Sequence, residues 1–292
     1  MMASNLFVGV AGWSYPEWSD LLGDGGSSEI NALSELFDLI EITSSYYHPP
    51  SAKNAEQWLA QTQSNPRLRF TMRLWQKLVR EKSSSWKTDV ETFKRGLQPL
   101  QKSRRLGALV LPFSSSYRAT TSNEEWLWRL LDAFAGFPLV VEALHASWQQ
   151  SELLRRLPAL GVAVAMVDQP QRDEPFDLPN SGLKQLAYVR LNGRNLQKWL
   201  APSARRDERF DYVYRPGELS HFAVAARRLG NQAESCCIVF HNHPKGQALA
   251  NALQLQHALT GRKIHVPENL CRHFPALQAL AAVPPASQLE MF

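Results

Sequence analysis

Cysteine is scarce in this 292-residue chain: there are three, two of them adjacent at Cys236 and Cys237. Three thiols build no disulfide framework, and neighbouring strand residues point to opposite faces, so the adjacent pair reads as reduced core. Cys271 adds too little for a thiolate metal site. Long apolar runs are missing as well, since none approaches the roughly 20 residues that span a bilayer. The stretch Met1–Phe7 has neither a basic segment nor a long apolar one, so no secretory signal is predicted. Together these absences point to a reducing cytoplasm and away from a membrane. There is no GxGxxG, no Walker A loop, no GxSxG elbow and no HExxH, which removes the local signatures of dinucleotide, P-loop, hydrolase-elbow and zinc-protease chemistry. Gly9-Val10-Ala11-Gly12 is too short and wrongly spaced to replace the first of them.

What the chain does have is a 44% hydrophobic content and eight short apolar runs, most of which carry a polar or charged residue at or near their end. The runs are Phe7–Ser14, Leu39–Ser45, Arg69–Leu74, Leu106–Phe113, Leu139–Leu144, Val162–Asp168, Ala187–Gly193 and Cys236–Asn242. Runs rich in Val, Ile, Leu and Phe that alternate with amphipathic segments indicate parallel strands buried on both faces. Eight βα units predict an α/β fold, a single parallel (β/α)₈ TIM-like barrel over residues 1–280, with 281–292 a loose C-terminal tail. Helices are predicted at Glu29–Phe37, Ala52–Gln61 with Ser51 as cap, Asp89–Lys102, Asn123–Ala135 with Ser122 or Asn123 as cap, Trp148–Leu157, Gly217–Leu229 and Gln247–Leu259. Two units break the rhythm. Gln169–Ser181 holds three prolines and cannot be a regular helix, and Arg194–Arg215 is a long connection of the kind that usually serves function.

Barrel active sites lie where the strands end. Side-chain alternation, with polar groups kept away from the helix layer, brings Glu41, Arg73, Glu142, Asp168, Arg190 and Asn192 toward one mouth, with His241 or His243 on the last strand unless parity selects Asn242. Charges in such a place must pair, bind something or stay wet. A self-neutralising ion-pair layer is one reading. The other is an anion site in which Arg73 and Arg190 grip a phosphorylated or nucleotide-containing ligand, Glu41 orients an arginine, and Glu142 with Asp168 supplies acid–base chemistry, as in a hydrolase or isomerase. On that second reading Arg190 is wet, and its loss costs little stability. Asn192, Asn242, His241, Trp13 and Tyr47 complete the expected ligand contacts, the aromatics as stacking surfaces. No cofactor and no metal are expected, because the arginines already compensate the carboxylates. A net charge of +5, clustered at Arg80–Lys87, Arg104–Arg105 and Arg194–Arg209, also allows a non-catalytic nucleic-acid-binding protein. A metal-dependent phosphodiesterase-like barrel is a third alternative, by fold analogy.

Several stretches resemble the family of unknown function 72, the YecE-like proteins. They are Gly12-Trp13-Ser14-Tyr15 with Trp18, Ile40-Glu41-Ile42 ending at Tyr47, Leu106-Gly107 with Leu111-Pro112, and Val141-Glu142 with Ser147-Trp148. Val167-Asp168, Tyr188-Val189-Arg190-Leu191 with Gly193, and Asn242 with Asn251-Ala252 follow in order. The resemblance implies a TIM-like barrel and no particular activity. Against the family pattern, Val110 replaces a usual Gln, Ala143-Leu144 a usual Phe-Arg, Arg73 a usual Lys, Asn192 a usual His and His241 a usual Asn. Loss of the arginine near Glu142 implies a carboxylate short of a local partner.

Overall fold

The structure, a computed structural model, describes residues 5–23, 28–170, 185–205 and 207–282. The runs form strands β1 (Leu6–Ala11), β2 (Leu39–Ile42), β3 (Arg69–Arg73), β4 (Leu106–Phe113) and β5 (Leu139–Ala143). They continue as β6 (Ala163–Val164), β7 (Met166–Asp168), β8 (Leu186–Leu191) and β9 (Ser235–Phe240). All pair in parallel, in the order β6-β5-β4-β3-β2-β1-β9-β8-β7. Among the described residues the count is nine where eight are expected, because Val162–Asp168 changes partner midway. β6 pairs with β5 and β7 with β8, and between them the Ala165 N–H donates to the Val141 carbonyl at 2.9 Å. The two ends of the sheet are therefore one stretch of chain, and the barrel is nearly closed.

Alternation assigns the faces. Phe7 and Ala11, Leu39, Ala108 and Val110, Val140, Ala163, Ala165, Val167, Tyr188, Cys237 and Val239 form one buried cluster inside the ring. Val8 and Val10, Ile40, Met72, Leu109, Val141, Met166, Leu191, Cys236 and Phe240 pack outward with the helices. The adjacent cysteines thus point to opposite layers. Gly9 stands where β1 closes on β2: a Cβ there would fall 1.7 Å from the Leu39 carbonyl oxygen.

Helices cover the outside at Glu29–Leu36, Ala52–Gln61, Trp86–Lys102, Thr121–Ala133, Pro216–Gln232 and Gln247–Thr260. Ser51 caps its helix as expected, its hydroxyl accepting from the Asn54 N–H at 3.1 Å. At the fourth unit the cap is Thr120, not Ser122 or Asn123. Its extended backbone precedes a first turn that already contains both of them. The expected helix Trp148–Leu157 is broken. Ser151 adopts an extended conformation and caps only the short helix Glu152–Arg156, with 3₁₀ turns on either side. Most of the proline-rich Gln169–Ser181 segment lies outside the described residues. Of the expected tail, Ala281 and Ala282 are tied to Ile264, whose carbonyl accepts from the Ala282 N–H at 2.7 Å; residues 283–292 lie outside the described residues. Among the described residues no helix is long and apolar enough to cross a membrane.

Candidate functional site at the barrel mouth

Glu41, Arg73, Glu142 and Arg190 sit on the inward parity of β2, β3, β5 and β8, one layer above the apolar filling of the barrel. Arg190 is at the centre, with only 1% of its side chain exposed. Its Nη2 donates to Glu41 Oε2, and its Nε lies 2.7 Å from Glu142 Oε2. The Tyr188 hydroxyl, two residues earlier on the same face, donates to Glu41 Oε2 at 2.5 Å. Burial, and then the neighbouring Glu41, push the Tyr188 phenol well above its ordinary range, so it remains a donor. For Arg190, burial opposes the charge, but Glu41, Tyr188 and Glu142 outweigh it and its pKa rises. This is a structural ion pair held in place. The wet setting expected for Arg190 is not what the fold builds.

Arg73 differs. It extends from the end of β3 with 15% of its side chain exposed, and its Nη2 reaches Glu142 Oε1 at 3.3 Å. Its Nε is buried without a hydrogen-bond partner among the described residues, and its guanidinium lies 5.3 Å from the centroid of the Tyr46 ring. Glu142 is therefore bridged by two guanidiniums. The partner missing from its own strand is replaced from β3 and β8.

Asp168 does not join this layer. It shares the helix-facing parity of Met166, and Arg194 grips both its oxygens from Nε and Nη2 at 2.7–3.0 Å. The Tyr214 hydroxyl also donates to Asp168, at 2.7 Å, while accepting from the Gly193 N–H at 2.8 Å. Gly193 adopts φ +90°, and a Cβ there would meet that of Tyr212 at 2.8 Å. The expected acid–base pair of Glu142 and Asp168 is thus divided between two faces of the sheet. Asn242 likewise points outward. Its side-chain amide donates to the Tyr212 carbonyl and to Asn251 Oδ1, tying the long connection to the helix Gln247–Thr260.

His241 takes the inward position instead. Its Nδ1 lies 3.2 Å from Asn192 Oδ1, and the Asn192 amide donates to Gln169 Oε1 at 3.2 Å. An amide oxygen only accepts, so in this arrangement the Nδ1 of His241 carries the proton. Trp13 stands half-buried at the rim, edge-on to Trp58, with ring centroids 6.0 Å apart. Tyr47 is 39% exposed and edge-on to Tyr46.

The connection Arg194–Arg215 is pinned down rather than open. Besides Asp168, Arg194 meets Glu218 at 3.0 Å, and Lys198 meets Glu208 at 3.3 Å. Asp211 takes both Lys245 and Gln247 at 2.7 Å. Two of the cations expected to face nucleic acid, Arg194 and Lys198, are thus compensated; Arg206 lies outside the described residues. The turn Asp207–Phe210 packs on His243, whose ring stacks on Tyr15 at 4.4 Å and whose Nε2 lies 3.2 Å from Asp207. Burial lowers the His243 pKa despite the His241 carbonyl and Asp207. The unfolded chain, near 6.5, then binds the proton more readily, so this group's contribution is full above about pH 6.5 and falls away below it. Urea melts from pH 7.5 to 5 should show stability dropping in that window, by at most about 1.4 kcal/mol per pH unit. His243→Phe, which keeps the stack, should flatten the profile.

Tyr188, Tyr214, Gln169 and Arg194 are members of these networks that the sequence analysis did not single out. Tyr188 carried a signal, since it shares the parity of Arg190 within one run. Arg194 and Tyr214 meet Asp168 across 26 and 46 residues, which spacing does not reveal.

Comparison with known proteins agrees with this architecture. The profile of the protein family of unknown function DUF72 matches residues 7–275. The UPF0759 protein YunF of Bacillus subtilis is 23% identical over 265 residues, covering 86% of this chain and 93% of that protein. The crystal structure of a DUF72 protein from Thermotoga maritima superposes with a TM-score of 0.74 at 27% identity, covering 87% of this chain and 99% of that one. One from Enterococcus faecalis gives 0.76 at 24%, covering 87% and 95%. D-psicose 3-epimerase from Clostridium cellulolyticum, at 11% identity and a TM-score of 0.50, covers 96% of this chain and 100% of that one and shares the barrel fold alone.

Proposed function

Since this chain belongs to DUF72, a family described as of unknown function, we propose from its own geometry that the barrel mouth binds an anionic ligand of the phosphorylated or nucleotide class. One observation carries the reading. Arg73 is a guanidinium at the strand ends, with a spare buried donor and partial exposure, above a layer whose other charges are internally balanced. A guanidinium fork matches phosphoryl oxygens in shape and charge. Arg190 and Glu41 then act beneath the site, holding Glu142 so that it in turn orients Arg73. Glu142 is the carboxylate nearest the ligand and the candidate for any proton transfer in a hydrolytic or isomerising reaction. The buried, unpaired thiols of Cys236 and Cys237 suit a cytoplasmic setting.

Thermal melts with inorganic phosphate, nucleotides and sugar phosphates test this reading. A ligand at 100 times its Kd stabilises the folded chain by about 2.7 kcal/mol. Wild type should show such a rise with at least one phosphate-bearing compound, and Arg73→Met should lose it while still melting cooperatively. A wild type indifferent to every anion, or an Arg73→Met protein that responds equally, would remove the reading.

A further inference from the structure

The basic stretch that begins at Arg80 takes no part in the ion-pair layer. Arg80 ends the short helix Gln76–Arg80 that directly follows β3, so the strand that carries Arg73 also delivers Arg80 to the rim. Its guanidinium carbon lies 5.9 Å from the centroid of the Tyr46 ring, the same ring that Arg73 approaches to 5.3 Å. Two guanidiniums therefore approach one half-buried phenol, which keeps them within about 11 Å of each other.

Charge accounting sets Arg80 apart from its neighbours. Lys77 pairs with Asp89 at 2.9 Å, and Glu41 and Glu142 balance Arg190 and Arg73. Arg80 is exposed and has no carboxylate partner among the described residues. Two like charges on one ring repel each other, weakly where solvent screens them, and neither is neutralised by the ring quadrupole. An anion bridging both would remove that repulsion. A single phosphoryl group fills one fork, whereas two linked phosphoryl groups present oxygens to both.

We propose, resting on the anion-binding reading above, that Arg80 forms a second anion subsite beside Arg73 and that the ligand carries a diphosphate rather than a single phosphate.

Calorimetric titrations of inorganic orthophosphate and inorganic diphosphate, at matched ionic strength with chelator present, test it on wild type, Arg80→Ala and Arg80→Lys. Wild type should bind diphosphate at least about tenfold more tightly than orthophosphate, the size of one charge-assisted contact. Arg80→Ala should erase that advantage while changing orthophosphate affinity by less than about threefold, and Arg80→Lys, a point charge without the fork, should keep part of it. Arg80 is exposed at a helix end, and ligand-free melts of each variant establish that the fold is intact. Equal affinity of wild type for the two anions, or an Arg80→Ala protein that keeps the advantage, would overturn the subsite and leave Arg73 as the anion contact. If wild type binds neither anion, the mouth reading fails and the subsite with it.

Discussion

Arg190→Met is expected to destabilise the protein by about 3–5 kcal/mol, because it leaves Glu41 and Glu142 buried with their main counter-charge gone. In a chain of this size that corresponds to a fall in Tm of roughly 5–8 °C. Arg190 is 1% exposed and Glu41 fully buried, so water has little room to take over the lost contacts. The cost should be recoverable in part. Glu41→Gln with Arg190→Met removes the stranded charge, and the double variant should be more stable than the sum of the two single losses implies. Equilibrium urea denaturation of the four proteins measures the coupling. An Arg190→Met protein within about 1 kcal/mol of wild type would mean that the layer is hydrated after all.

Asp168→Ala should be the second costly change, by about 3 kcal/mol, with its effect concentrated in the long connection after β8. The carboxylate gathers Arg194 and the hydroxyl of Tyr214, and Tyr214 in turn accepts from the Gly193 backbone. Burial, and then Asp168 itself, hold the Tyr214 phenol well above its ordinary pKa. Without Asp168 that hydroxyl stays protonated and faces no acceptor. Asp168→Asn keeps an acceptor and should lose less. Hydrogen exchange should show residues 194–205 and 207–215 losing protection in Asp168→Ala while β2 to β5 keep theirs. Uniform loss across the barrel, or no loss in the connection, would show that Asp168 does not anchor it.

Much of this architecture was legible in the amino-acid order, for a physical reason. Parallel strands buried on both faces leave dense apolar runs, and a period of two places Glu41, Arg73, Glu142 and Arg190 on one face without any structure. The helix at Ala52–Gln61 was legible because Ser51 offers its backbone a local acceptor. The ninth strand was not, because a change of pairing partner at Ala165 leaves no mark in hydropathy. Parity alone groups Asp168 with Val164 and Met166 but leaves open which layer that face meets. What drew it toward the site was its charge at a strand end, and only the distant Arg194 and Tyr214 reveal its actual role. Which arginine is sealed and which is open depends on packing across four strands, beyond the reach of local pattern. Hence Arg190 and Arg73 looked alike in the sequence and are unlike in the fold.

The division between a sealed Arg190 layer and an open Arg73 is the centre of this account, and phosphorus NMR of inorganic phosphate in the presence of the protein tests it most directly. Wild type should broaden the phosphate resonance through exchange with the mouth, Arg73→Met should leave it sharp, and a folded Glu41→Gln protein should still broaden it. A resonance that stays sharp with wild type, or broadens equally with Arg73→Met, would contradict it.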